Sequence, residues 1–154
     1  MALTARLQKN KPGMFDDSKG TVRSKNKKTT AAAITFGQVL SANGAHALRA
    51  CVDGDAGPIY TANEGKVLND DHVDALWGED GVIQYCELEG ALDPTVTTEL
   101  ECATTGKLRQ AAGVNPVVAR YVKHGTKTHD GVTDLPAGVD GDTIGFIPLS
   151  QAQG

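Results

Sequence analysis

Aromatic residues are scarce in this 154-residue chain, with three Tyr, three Phe and one Trp making up 5% of it. A core with so few rings has to be built from Val, Leu, Ile and Ala, and 18 Gly favour many turns and short strands over a large helical interior. Long apolar runs are absent too. Nothing approaches the roughly eighteen residues of a helical membrane span, and no apolar segment with a cleavage site follows the basic start. The expectation is a soluble chain, made in the cytosol, with no membrane contact.

Cysteine is equally sparse. Cys51, Cys86 and Cys102 form no C-x-x-C pair, and their odd number leaves at least one thiol outside any intrachain bridge. They read as small buried hydrophobes, with a Cys51–Cys102 bridge as the alternative that thiol titration of the unfolded chain would reveal.

The motifs of several chemistries are missing as well. There is no G-x-S-x-G elbow, no H-E-x-x-H helix and neither glycine-rich phosphate loop. His124 and His129 stand near Asp130, and Asp53-Gly54-Asp55 and Asp140-Gly141-Asp142 bracket glycines, yet none follows calcium or zinc ligand spacing. Asp-Gly is first of all turn chemistry. His46 and His72 read as surface or capping residues, and Glu87/Glu89 and Glu99/Glu101 as exposed acidic stripes on strands. The expectation is a non-enzymatic chain with no metal and no cofactor.

What is present is charge, unevenly spread. Residues 1–30 hold eight of the 15 Lys and Arg and only two of the 19 Asp and Glu, so the leader carries +6 and the remainder −10. Blocks of like charge are typical of interaction tails. Phosphate neutralisation by Arg23, Lys25, Lys27 and Lys28 would suit nucleic acid, but the leader has one aromatic residue, Phe15, and the acidic remainder repels a duplex. The balance argues against nucleic acid.

The leader has no sustained periodicity, so the chain divides into an extended basic N-terminal arm, 1–30, and a β-rich body, 31–154. Removing the arm is expected to leave the body folded. Strands are expected at Ile34–Leu40, Ala45–Val52, Val82–Leu88, Thr95–Cys102, Lys107–Ala111, Val117–Lys123 and Thr143–Leu149. Val96, Leu100 and Cys102 should form the packed side of one strand, with Thr97, Glu99 and Glu101 on the wet side. Thr104-Thr105-Gly106-Lys107 predicts a hairpin over 95–111. One short helix is expected over Asp70–Trp77, where Asn69 or Asp70 can cap and Gly78 follows. The glycine-rich stretch 124–142 is a long loop suited to intersubunit contact. The fold class is mainly β, a β-sandwich or barrel-like domain with that helix and arm.

Five segments form a recognisable series: Gly81-Val-Ile-Gln-Tyr-Cys-Glu-Leu-Glu-Gly90-Ala, Asp93-Pro94-Thr-Val-Thr-Thr, Thr104-Thr-Gly-Lys-Leu, Pro116-Val-Val-Ala-Arg-Tyr-Val and Asp142-Thr-Ile-Gly-Phe-Ile-Pro-Leu. The series resembles the capsid decoration, or cement, proteins of tailed phages. The basic leader is longer than that pattern, and 46–77 has no counterpart in it. The resemblance implies a virion protein on the outer capsid surface, made in the host cytoplasm. Its implied partners are the major capsid protein and itself, as a homotrimer ahead of a dimer. Another virion subunit, of shell or tail tube, and a small ligand-binding or hydrolytic β-domain are the alternatives. On this reading Arg6, Lys9, Lys11, Arg23, Lys25, Lys27 and Lys28 anchor the protein electrostatically, and Leu3, Leu7, Met14 and Phe15 are apolar pegs.

Overall fold

The computed structural model describes residues 11–16, 22–30, 32–42, 47–65, 72–78, 82–127 and 135–153, of which 16, 22–27, 77–78 and 150–153 are described by their main chain alone. Leu3, Arg6, Leu7 and Lys9 lie outside this set, as do His46 and His129.

The strands are β1 (Phe15–Asp16), β2 (Val22–Lys28), β3 (Val39–Ser41), β4 (Arg49–Ala50), β5 (Ile59–Ala62), β6 (His72–Gly78), β7 (Ile83–Glu87), β8 (Glu99–Cys102), β9 (Leu108–Gln110), β10 (Val117–His124) and β11 (Thr143–Gln153). They form two antiparallel sheets, ordered β1-β7-β11-β10-β8-β9 and β2-β6-β5-β3-β4. The architecture is the expected mainly β, sandwich- or barrel-like one.

Each sheet curls back toward its own far edge. In the first, Leu88 just past β7 bridges Leu108 of β9, and Glu89 N donates to Leu108 O at 2.9 Å. In the second, Thr29 just past β2 bridges Leu48 just before β4, with Leu48 N donating to Lys28 O and Thr30 N to Leu48 O, both at 2.9 Å. Curling buries short strands that could not each cover a flat face, and it leaves fewer unpaired edges.

The main core lies inside the first sheet. Tyr121, Phe146, Leu88, Leu92, Leu100, Leu108 and Ile144 pack there at 0–1% exposure, joined across the junction by Val39, Cys51 and Ile59 of the second sheet. Burying each large side chain of this kind contributes about 1.5–3 kcal/mol. A smaller core of Ile34, Leu40, Leu48, Ala62, Val73 and Ala75 fills the second. The junction is also hydrogen-bonded: Thr61 Oγ1 donates to Gln84 Oε1 at 2.6 Å.

Several expectations need correction. Residues 72–78 are not a helix but β6, which pairs with β2 along seven positions from Val22↔Gly78 to Lys28↔His72 and with β5 through Thr61↔Leu76 and Ala62↔Ala75. Two neighbouring ladders outweigh the capping signals, and Val73 and Ala75 are spaced to fill one face of a strand. The described part of the leader is no free arm, since β1 pairs with β7 and β2 forms the edge of the second sheet. Among the described residues, the step at residue 30 is therefore one of composition, not of structure.

The strand expected at Ile34–Leu40 begins only at Val39, because Gln38 N turns back to Thr35 O at 3.1 Å. The one expected from Thr95 begins at Glu99, because Asp93 folds residues 93–97 into a turn, accepting from Thr95 N at 3.0 Å. Val96 is consequently 73% exposed. Glu101, assigned to the wet side, is buried. The hairpin over 95–111 is present as β8 and β9, joined through Thr104–Gly106 with Thr105 at φ 51° and Gly106 at φ 78°. All three cysteines are free and buried, as expected.

Candidate surface site at the Gly13 turn

Pro12-Gly13 makes the turn its sequence predicts. Met14 N donates to Lys11 O at 3.0 Å, and Gly13 takes φ +94°, a conformation that disfavours any side chain. The turn is held to β7 by its main chain: Gly13 N donates to Tyr85 O at 2.9 Å, and Tyr85 N to Met14 O at 3.1 Å. A Cβ on Gly13 would lie 2.3 Å from Phe36 Cε1, so the Phe36 ring rests directly on the glycine. On the other side Gly37 backs onto Pro12.

The consequence is an apolar surface on a fixed frame. Met14 is 41% exposed, Phe15 43% and Phe36 47%, three of the largest apolar side chains left outside the core. Beside them opens a cleft of ≈ 200 Å³ lined by Pro12, Phe36, Gln38, Glu87, Thr105 and Lys107. The Lys107 ammonium bridges Glu87 at 2.7 Å, a bond that raises the Lys107 pKa. Gln38 Nε2 donates to Thr105 O at 3.3 Å, and a Cβ on Gly106 would meet Gln38 Cβ at 2.6 Å, which joins the hairpin tip to the β3 approach.

The residues expected to grip a partner are thus divided. Met14 and Phe15 meet at the turn, with Lys11 exposed beside them. Arg23, Lys25, Lys27 and Lys28 stand on β2, in the other sheet. Lysine on an edge strand also discourages edge-to-edge pairing with other sheets. Phe36 and Lys107 were missed. A lone Phe before Gly, in a segment read as a strand, carries no periodic signal that would place it on the surface.

The other charged groups serve the frame. Arg109 on β9 donates from Nε to Glu101 Oε1 at 2.7 Å, pairs with Asp53, and has Glu89 3.7 Å away. The hydrogen bond to buried Glu101 is the main cause of its raised pKa. Asp55, 1% exposed, takes a two-pronged bond from Arg49 and accepts from Val52 N at 3.0 Å, closing the Asp53-Gly54-Asp55 turn.

Thr126, His124 and Asp142 form a hydroxyl–imidazole–carboxylate line, with Thr126 Oγ1 3.2 Å from Nδ1 and Nε2 2.9 Å from Asp142 Oδ2. Nδ1 also accepts the main-chain N–H groups of Thr126 at 3.0 Å and Lys127 at 2.9 Å. With that lone pair occupied and the ring buried, the imidazole anchors the loop instead of activating the hydroxyl. Among the described residues no group of three or more His, Cys, Asp or Glu is arranged to hold a metal ion, and no helix is long and apolar enough to cross a membrane. No family model matches the chain, and neither the curated proteins nor the solved structures contain a match to it.

Proposed function

We propose that the chain is a non-enzymatic structural protein that decorates an assembled viral capsid, binding its outer surface at symmetry axes as a homo-oligomer and reinforcing the shell. The observation that carries this reading is the trio Met14, Phe15 and Phe36, half-exposed together, the first two following a turn whose backbone is tied to β7 and the third resting its ring on that turn's glycine. Apolar side chains held out by a rigid frame bind a partner without the ordering cost that a free arm incurs. Two features support the reading. The residues that carry the resemblance to cement proteins, 81–149, supply β7 to β11 and thus nearly the whole first sheet. The charge is also polarised along the chain, and repeated weak contacts gain avidity when each oligomer engages several shell subunits.

The test is sedimentation of the purified chain with empty phage shells, beside light scattering of the chain alone. Saturable pelleting by a discrete trimer or dimer supports the proposal. A monomer that stays in the supernatant overturns it, and open-ended polymers indicate a tube or shell subunit.

A further inference from the structure

Cys51 and Cys102 come from different sheets. Cys51 follows β4, and its amide donates to Val39 O of β3 at 2.8 Å, so its main chain belongs to the second sheet. Its other contacts lie in the first: its carbonyl accepts Gly106 N at 2.9 Å, and its thiol lies 3.3 Å from Lys107 O and 3.9 Å from Ala103 O. Those two oxygens belong to the two arms of the β8–β9 hairpin, at its closed end. Cys102 ends β8 one residue before Ala103, opposite Leu108, and packs in the same buried cluster as Cys51, whose thiol is the first cause of its raised pKa. Both residues have 0% exposure. The third thiol, Cys86, is free and buried on β7.

We propose that Cys51 and Cys102 are a modification site, an oxidisable dithiol that a low-molecular-weight disulfide converts into a covalent bond between the two sheets. One cysteine thiolate attacks the small disulfide, forming a mixed disulfide and expelling one small thiolate. The second cysteine thiolate attacks the protein sulfur of that adduct, closing the Cys51–Cys102 bond and expelling the other. The two protons lost by the cysteines end on the two small thiols, so the protein is oxidised by two electrons and the reagent reduced by two.

Burial decides the timing. The Cys102 pKa is raised, first by the Cys51 thiol and then by desolvation, and burial raises Cys86 as well. Thiolates are the attacking species, so the closed body resists the reagent and exchange proceeds through local opening of the junction. Once formed, the bond closes a loop of some fifty residues and restricts the unfolded chain.

The test uses the wild-type protein, incubated at pH 8 with excess oxidised glutathione in mild urea, alkylated in denaturant and mapped by mass spectrometry without reduction. The expected result is a Cys51–Cys102 peptide pair, an alkylated Cys86 and a melting point raised by more than about 5 °C, reversed by a reducing dithiol. Three alkylated thiols, a bridge to Cys86, or glutathione adducts that persist on Cys51 or Cys102 would each overturn the proposal.

Discussion

His124 Nε2 donates to Asp142 Oδ2 across 2.9 Å, while Nδ1 of the same ring accepts two main-chain N–H groups from the loop that follows it. One buried side chain therefore ties the end of β10 to the start of β11 and fixes the path of residues 125–127. The described far end of the loop is fastened too, through Tyr121 Oη donating to Pro136 O at 2.8 Å and the paired Leu92 and Gly138. The segment expected to reach for neighbouring subunits is, over its described residues, bound to its own sheet.

Replacing that ring tests the anchor. His124→Phe keeps much of the volume but strips the Thr126 and Lys127 amides and the Asp142 carboxylate of their partner. The expected cost is about 2–4 kcal/mol, read as a lower urea midpoint at unchanged m-value.

Acid should act through the same pair. Partial burial raises Asp142, but the Val139 amide, the His124 ring and the Lys127 charge outweigh it and hold the carboxyl below its ordinary value. A depressed carboxyl contributes stability that is complete above its unfolded value of about 3.9 and is lost as pH falls through its folded value. Asp142→Asn should therefore lower stability at pH 7 and flatten the acid limb below about pH 4, as followed by thermal melting across pH.

Glu101 is the most exacting of the buried charges, since only Oε1 has a partner, Arg109, and Oε2 has none. Arg109→Met should cost about 3–5 kcal/mol by leaving a buried carboxylate uncompensated. Adding Glu101→Gln to it should recover part of that loss, and a double-mutant cycle measures the coupling.

The leader divides into two parts with different consequences. Deleting residues 1–30 removes β2 and the Gly13 turn, so the truncated chain is expected to lose cooperative unfolding of the second sheet; it is no clean test of attachment. Deleting 1–10 removes no residue of the described strands, and circular dichroism with thermal melting reads whether the sheets form without it.

The apolar pegs can be tested in a double variant. Met14→Asp with Phe15→Ser should destabilise the fold by about 1–2 kcal/mol, since somewhat more than half of each side chain is covered, and should reduce shell pelleting at least tenfold under conditions where the variant stays folded. Full occupancy by the double variant would remove the Gly13 turn from the interface.

Fold class was legible in the sequence because short apolar runs between glycines have few other ways to bury themselves. Ile83–Glu87, Val117–His124 and Thr143–Gln153 carry enough Val, Ile, Tyr and Phe for local pattern and final structure to agree. Turn chemistry was legible too, in Pro12-Gly13 and Thr104-Thr105-Gly106, because positive φ is a local property that glycine signals directly. Other elements were decided by distant partners. His72–Gly78 is a strand because β2 and β5 offer it hydrogen bonds, and the lysine-rich β2 is a strand because β6 does. Glu101 is buried because Arg109 stands across the hairpin to receive it, and Phe36 is a surface group because Gly13, twenty-three residues away, supplies a flat seat for its ring. The sequence by itself determined composition, turn positions and the β character of the chain, which depend on neighbours a few residues apart. Tertiary structure alone decided which strands pair, which charges are buried and which apolar groups remain outside, because those energies arise only when distant segments meet.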